Sequence, residues 1–512
     1  MLVIGGGASG LTAAISAARA GAAVAVADRM DRVGKKLLAS GNGRCNLSNV
    51  SINRNNYHGA GATPAFSILE KFGSQFVIDF FRSIGVLTAL EAQSRFYPVT
   101  FQSSTVLGAL RAEAARLGVV ELCSREAISI NPVDGHFKTF FRDGHVHVSD
   151  RVIVAAGGMA PRFLGANGSG YGLLAKFGHK VVTPAPMLTQ LCLGAKGIRG
   201  LKGVRMRAVL SLYKSSGDNA GSALPAGTTA ARVGQLVYRE VGELIFSDYG
   251  ISGIPALNLS CRLAPDISAA LGKKKPSGGS GGRCSDGGCC GEDGGGNGRG
   301  NGRGNGRRNG RGNGGEDGGE DGGGNFNGSG NAHISGKDDV YFSCSGYAIV
   351  IDLFPDHTYD VIYKFLCDRL ESKPHVQIDE ALNGILHKRI AALIIRQALG
   401  ERPEIKHNPK KFESDTIRQV SRDQIRRIAV AMKAWRHDLV GVAGFDKAQV
   451  TYGGLSFDDF SIDSLESKIV KGLYAAGEIL DAAGECGGYN LHWAWVSGYL
   501  AGTSAAGGRI EV

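Results

Sequence analysis

Leu2-Val3-Ile4-Gly5-Gly6-Gly7-Ala8-Ser9-Gly10 carries a short apolar strand straight into a turn built of glycines. In a dinucleotide-binding turn three of those glycines have separate tasks. Gly5 takes the tight turn off the strand, Gly7 lets the backbone approach a pyrophosphate, and Gly10 lets the next helix lie close to the sheet. Each task needs the missing Cβ. Residues 11–20, largely alanine, predict a helix whose unpaired N–H groups and positive dipole end face the diphosphate. Residues 24–27 predict a second strand. It ends on Asp28, 23 residues beyond Gly5, where a carboxylate can accept hydrogen bonds from the ribose hydroxyls of an adenosine. One Gly-x-Gly-x-x-Gly among 78 glycines would carry little weight. Strand, turn, small-residue helix, second strand and terminal acid arriving in order make it a dinucleotide site.

The 512 residues can bury large cores, and 43% hydrophobic with 21% charged residues describes a globular protein. No stretch approaches the roughly 18 to 20 apolar residues of a membrane span. A strand beginning at residue 2 leaves no room for a leader, so the expectation is a cytoplasmic protein, or an organellar one whose leader is missing. The ten cysteines show no disulfide-framework spacing, which favours free thiols. Cys284, Cys289 and Cys290 offer three thiols in a glycine tract, short of a zinc site, and no metal is expected. The net charge of +11 admits a nucleic-acid partner, but an anionic nucleotide cofactor is the simpler account.

Beyond Asp28, residues 34–49 form a glycine-punctuated loop with Lys35, Lys36 and Arg44, suited to wrapping a diphosphate. Residues 65–84 predict one helix with a phenylalanine stripe, and residues 106–117 another. Residues 119–130 predict a strand and residues 135–148 a pair of short ones. Residues 151–158 repeat the opening logic, a buried strand ending in bare backbone at Gly157 and Gly158. From residue 187 short strands and turns predict a β-rich middle domain, over 187–271 and 339–356. Between them, residues 272–338 hold a glycine-rich insertion expected to be disordered, whose six Arg between 283 and 321 are outnumbered by seven Asp and Glu. Helical periodicity then predicts a small helical subdomain over 357–445, with Ser421 and Gln424 as a capping box.

The chain closes with a strand ending at Gly477-Glu478 and a helix starting at Gly487-Gly488. Glu478 can hold a ribityl hydroxyl, and that helix start can aim N–H groups at the pyrimidine side of an isoalloxazine. The fold expected is α/β: a Rossmann-like dinucleotide-binding domain formed by both chain ends, residues 1–186 and 446–512, with the middle domain and helical subdomain inserted.

The turn at residues 5–10, Ser40-Gly-Asn-Gly-Arg-Cys-Asn-Leu-Ser-Asn49, Gly242-Glu-Leu-Ile-Phe246 with Gly250-Ile-Ser-Gly253, Ala448-Gln-Val-Thr-Tyr-Gly-Gly454, and Gly477-Glu-Ile-Leu-Asp481 with Gly487-Gly-Tyr-Asn-Leu491 together resemble the BaiN/YhiN-type family of NAD(P)/FAD-dependent oxidoreductases, also described as aminoacetone-oxidase-like. The resemblance spans nearly the whole chain outside the glycine tract. It implies FAD contacts from Gly5, Gly7, Ser9 and Gly10, from Asp28 and Arg29 near the adenosine, and from Lys36, Asn46, the backbone of Ala127, Gly157, Glu478 and Leu491. Two departures, Ser169 where the family usually has Asp and Cys486 where it has Thr, touch fine tuning near the flavin.

A flavin carries its own redox chemistry, so catalytic side chains are not assigned from sequence. Cys45 and Cys486 lack the short spacing of flavin-linked redox disulfides. His492 is either a proton donor near the flavin or a helix-packing residue. Three functions stand: an FAD-dependent oxidoreductase acting on a small organic substrate, with NAD(P)H as donor or oxygen as acceptor; an FAD-containing RNA-associated or RNA-modifying protein; and a non-catalytic flavin scaffold. The first is favoured. Substrate and oligomeric state are not legible.

Overall fold

The computed structural model describes residues 1–91, 94–194, 198, 200–215, 234–273, 332–334, 340–372, 382–399 and 421–511. The glycine-rich stretch at 278–330 and its three cysteines lie outside the described residues.

The opening strand Leu2–Ile4 is the middle of a five-stranded parallel sheet. Its neighbours are Ala25–Ala27 and Val152–Val154, flanked in turn by Val120–Leu122 and Leu473–Ala475. All five strands are three residues long, and all but the edge strand Val120–Leu122 are apolar and buried throughout, as expected where helices cover both faces of a parallel sheet. The two chain ends therefore meet in one sheet. The first helix, Ala8–Arg19, packs along the last, Tyr489–Ala505. Their contact is unusually close because Gly498 faces the Ser9 carbonyl and Gly502 the Ala13 carbonyl.

Two expectations on this side need correction. Residues 119–130 are two strands: Val120–Leu122 ends the parallel sheet, and Ala127–Val133 opens a separate three-stranded antiparallel one. Between them Ser124 takes a positive φ, and the amides of Ser124 and Arg125 donate to the Met30 and Asp28 carbonyls at 2.7 and 2.8 Å. Residues 65–84 are two helices, Ala62–Leu69 and Ser74–Ser83, parted at Gly73. Their Leu69, Phe72, Phe80 and Phe81 still join the core under the sheet.

Two antiparallel strands, Val181–Met187 and Val450–Leu455, carry the chain out of this half and back. Beyond them, six strands pair around a closed antiparallel circuit: Leu191–Leu193, Gly250–Ser252, Gln235–Phe246, Arg205–Lys214, Tyr347–Asp352, Trp435–Ala443 and back to Leu191–Leu193. Closure removes the open edges a flat sheet would present. The range 187–271 also contains a 19-residue helix, Ile254–Gly272, which packs on this barrel and on Val181–Met187. The range 357–445 is not helical throughout. Helices Tyr359–Ser372, Lys388–Leu399 and Arg422–Lys433 give way to the strand Trp435–Ala443, which completes the barrel. Their Ile362, Ile390, Ile394 and Ile428 share one core with barrel residues Leu210, Ile349 and Trp435. Ser421 and Gln424 form the expected capping box. Among the described residues no helix is long and apolar enough to cross a membrane.

Candidate cofactor and substrate site

The carboxyl ends of the parallel strands open onto a cradle of bare backbone. Gly5 has φ +105°, and a Cβ there would strike the Ala155 carbonyl; one at Gly10 would strike the Gly5 carbonyl. Those two glycines are held by the protein's own packing. Gly7 and Gly157 differ, because a Cβ at either would meet nothing within 4 Å. That free space sits where the first helix begins, and its first intrahelical bond runs from Leu11 N to Gly7 O at 3.0 Å. The N–H groups of Ala8, Ser9 and Gly10 precede it and are free to bind an anion.

Asp28 lies at the end of its strand, with Oδ2 accepting from Gly6 N at 2.8 Å and Oδ1 from Met30 N at 2.8 Å. Burial pushes its carboxyl above the usual range, opposed by those two amides and by Arg29 and Lys35. Arg29 itself is exposed. Ala127, buried at the head of its strand, follows by two residues the Arg125 amide that holds the Asp28 carbonyl. Asp28 follows its strand as the spacing predicts, while the Gly6 amide that orients the acid toward the turn was not anticipated.

Across the cradle, Gly477 presses on Ser9, whose Oγ lies 3.5 Å from the Ala476 carbonyl. Lys36 Nζ donates to the Ala160 carbonyl at 2.7 Å and to Glu478 Oε2. Glu478 Oε1 accepts from Thr451 N at 2.9 Å, and Thr451 Oγ1 accepts from Met159 N at 2.7 Å. Lys36, Glu478 and Thr451 thus join three distant segments at the sheet's edge. Thr451 lies in one of the motifs that carry the family resemblance, but its role was not legible there, since its partners lie 27 and 292 residues away.

The last helix starts at Gly488, φ +96°, packed against Asn46 Oδ1 and the Ser48 carbonyl. Asn46 is buried and its Oδ1 has no hydrogen-bond partner, an orphan that a ligand N–H would satisfy. Leu491 lies in the first turn of that helix, part-buried against the core. Tyr489, Asn490 and Leu491 precede the first intrahelical bond, His492 N to Gly488 O at 2.9 Å. Open space at Gly7 and Gly157, an acid at the second strand, the Asn46 orphan and two helix N-termini are what a dinucleotide with a heteroaromatic ring requires.

His492 is a packing residue. It is fully buried, with Nδ1 2.7 Å from Ser48 Oγ and Nε2 donating to the Phe72 carbonyl at 2.9 Å, and burial lowers its pKa to about 4. Cys45 and Cys486 are free thiols, each pushed by burial to about 12 and therefore unreactive. Among the described residues no group of three or more His, Cys, Asp or Glu is placed to hold a metal.

Between the cradle and the barrel lies a cavity of about 700 Å³, lined by Arg54, Tyr57, His58, Tyr238, Arg262 and Tyr452 among others. It abuts the start of the last helix, because Tyr57–His58 pairs with Ala483–Gly484 and Tyr57 Oη donates to the Tyr489 carbonyl at 3.1 Å. Arg262 reaches across from the helix Ile254–Gly272 to Glu485 at 2.7 Å, and His58 Nε2 lies 3.2 Å from the same oxygen. Behind this wall Glu240 Oε1 accepts from Asn258 Nδ2 at 2.9 Å, and Asn258 Oδ1 accepts from Cys486 N at 2.9 Å. Asp481 accepts from Ala60 N at 2.9 Å. Burial raises both acids to about 7. Tyr452, Asp481 and Cys486 stood in or beside motifs quoted from the sequence, but nothing there brought them together with Arg54, Tyr238 or Arg262.

The HI0933-like protein Rossmann domain family matches residues 1–504. The chain belongs to that family. It is an FAD-dependent oxidoreductase, and the scaffold alternative falls with that membership. Three curated relatives are similar to this HI0933-like protein along its length. A 3-dehydro-bile acid delta(4,6)-reductase of Clostridium scindens is 29% identical over 507 residues, 98% of each chain. A ribosomal RNA dihydrouridine synthase of Escherichia coli is 23% identical over 499 residues, 97% of this chain and 96% of its own. One of Haemophilus influenzae is 22% identical over 508 residues, 98% and 97%.

Proposed function

We propose that this HI0933-like protein uses NAD(P)H to reduce a carbon–carbon double bond conjugated to a carbonyl on a small organic molecule. The observation that carries this reading is the cavity of about 700 Å³, walled by phenols and set against the start of the last helix. The relatives' names point the same way in chemical terms. A 3-dehydro-delta(4,6) bile acid and a uridine ring both present an alkene conjugated to a carbonyl.

In this reading the FAD diphosphate lies over Gly5, Gly7, Ser9 and Gly10 with Gly157 opposite, and the adenosine meets Asp28, Arg29 and the Ala127 backbone. Lys36, Asn46, Glu478 and Leu491 serve the ribityl and ring end. Bound FAD supplies the hydride chemistry. Reduction of such an alkene also needs a proton at the carbon next to the carbonyl. Tyr238 and Tyr452 line the cavity, and burial raises both phenols above their usual range, so each Oη carries its proton at neutral pH. Tyr57 Oη is already committed to the Tyr489 carbonyl.

The test is anaerobic rapid mixing of the flavin-loaded protein with NADH or NADPH, followed by cyclic enones. Bleaching by one nicotinamide and recovery of the yellow colour with an enone is the expected result. Bleaching that only oxygen reverses would make it an oxidase and overturn the reading. The RNA-modifying alternative draws on the two dihydrouridine synthases, and retention of ribosomal RNA fragments against salt tests it.

A further inference from the structure

The cavity wall carries more positive charge than its own residues neutralise. Arg54 and Arg262 line it, and among the described residues no acid does. Glu485 stands behind, and its Oε1 serves Arg262 and His58 together, at 2.7 and 3.2 Å. One carboxylate is thus divided between two bases. The partners of Arg54 are neutral: Nε donates to Thr63 Oγ1 and Nη1 to the Tyr57 carbonyl, both at 2.9 Å. Arg262 lies over the Tyr238 ring at 4.3 Å, and its buried Nε has no hydrogen-bond partner. An unsatisfied guanidinium N–H out of water is costly unless something fills it.

Glu240 and Asp481 stand behind the wall rather than in it, and burial raises both to about 7, so at neutral pH each carries only part of its charge. Arg95 lies near enough to act on Glu240, Cys486 and Tyr489 and adds a further positive charge behind the wall. Guanidinium forks match carboxylates and phosphates with paired N–H donors.

We infer that this cavity binds a substrate through an anionic group, a carboxylate or a phosphate ester held between Arg54 and Arg262, with the substrate's flat body among Tyr57, Tyr238 and Tyr452. This deepens the reading above and rests on the cavity being where the substrate lies. An anion there offsets Arg54 and leaves the Arg262–Glu485 bridge in place.

Three probes of one shape test it by calorimetry on the full flavin-loaded chain: 2-naphthoate, 2-naphthyl phosphate and the neutral 2-naphthamide. At low salt at least one anion is expected to bind about tenfold or more tightly than the amide, and salt should erode that preference. In Arg54→Gln the anion-to-amide ratio should fall several-fold. Arg54 lies on a partly exposed turn, so this variant keeps the test alive if Arg262→Gln, which loses the bridge to Glu485, fails to fold. If the phosphate outranks the carboxylate, the substrate class is a phosphate ester; the reverse order makes it a carboxylic acid. Equal binding of all three probes, or an anion preference untouched by Arg54→Gln, overturns the inference. None of the probes has an alkene conjugated to a carbonyl outside its ring, so their binding is independent of turnover. Loss of the reductase reading would show as intact anion preference without flavin reoxidation by enones.

Discussion

Gly498 in the last helix lies so close to Ser9 in the first that the Ser9 carbonyl occupies the space a side chain would need. The contact joins residues 489 positions apart and fixes the two chain ends as one domain. Gly498→Ala is therefore expected to destabilise the protein by about 1–3 kcal/mol through overpacking. Gly7→Ala makes the contrasting case. Gly7 has an extended backbone that alanine adopts freely, and its Cβ would meet no protein atom. Stability should change by less than about 0.5 kcal/mol while FAD affinity falls about tenfold or more. Urea unfolding without flavin and fluorescence titration with it separate the two effects.

Asp28→Ala removes the acceptor for the Gly6 and Met30 amides together with the ribose partner. Hydrogen bonds to a charged group contribute about 1.5–3 kcal/mol, so FAD affinity should drop roughly ten- to hundredfold. Asp28→Asn keeps one acceptor and should lose less. Equal affinities for wild type and Asp28→Ala in a flavin fluorescence titration would remove the adenosine from this position.

Lys36 and Glu478 pair across 442 residues, with Lys36 about one-third exposed. Solvent screening limits such a pair, and a double-mutant cycle with Lys36→Met and Glu478→Gln should give a coupling of about 0.2–1 kcal/mol. Glu478→Gln should still accept from the Thr451 amide. Thermal unfolding of the four proteins measures the coupling, and a value near zero in both the flavin-free and flavin-bound forms would deny the pair any role in holding the cradle.

Asp481 gives a pH signature with a definite sign. Burial raises its carboxyl from 3.8 to about 7, so between those values the folded protein holds a proton that the unfolded chain releases. Stability from this group is present below pH 4 and is lost as pH rises through about 7. His492 and His437, lowered to about 4, act oppositely and favour folding as pH rises from 4 to 6.5. The difference between wild type and Asp481→Asn isolates the acid. That difference should shift toward the variant by up to about 4 kcal/mol from pH 4 to pH 8, as read from urea midpoints. A pH-independent difference would mean the carboxylate is ionised throughout.

His492→Gln should cost about 1–3 kcal/mol through its bonds to Ser48 and the Phe72 carbonyl, and should leave the apparent pKa values of kcat unchanged. A moved pH profile would return this histidine to the chemistry.

The cradle was legible because its rules act over a few residues. Gly5, Gly7 and Gly10 follow from backbone clearance, Asp28 from the length of a strand–helix–strand unit, and the Ser421–Gln424 box from a spacing of three. The helix Ile254–Gly272 was hidden by Pro265 within it, and the strand Trp435–Ala443 by the helical stretch before it. The split of residues 119–130 escaped because both halves have strand composition and the break is set by amides bonding back to Asp28 and Met30.

The glycine pattern thus dictated where a dinucleotide can lie, since steric clearance at one Cα does not depend on distant segments. The cavity answers to another cause. Arg54, Tyr238, Arg262 and Tyr452 come from four segments spread over nearly 400 residues and face one another because two cores pack across the paired strands Val181–Met187 and Val450–Leu455. No local rule encodes a distance between side chains that far apart in the chain; the packing of the two halves supplies it.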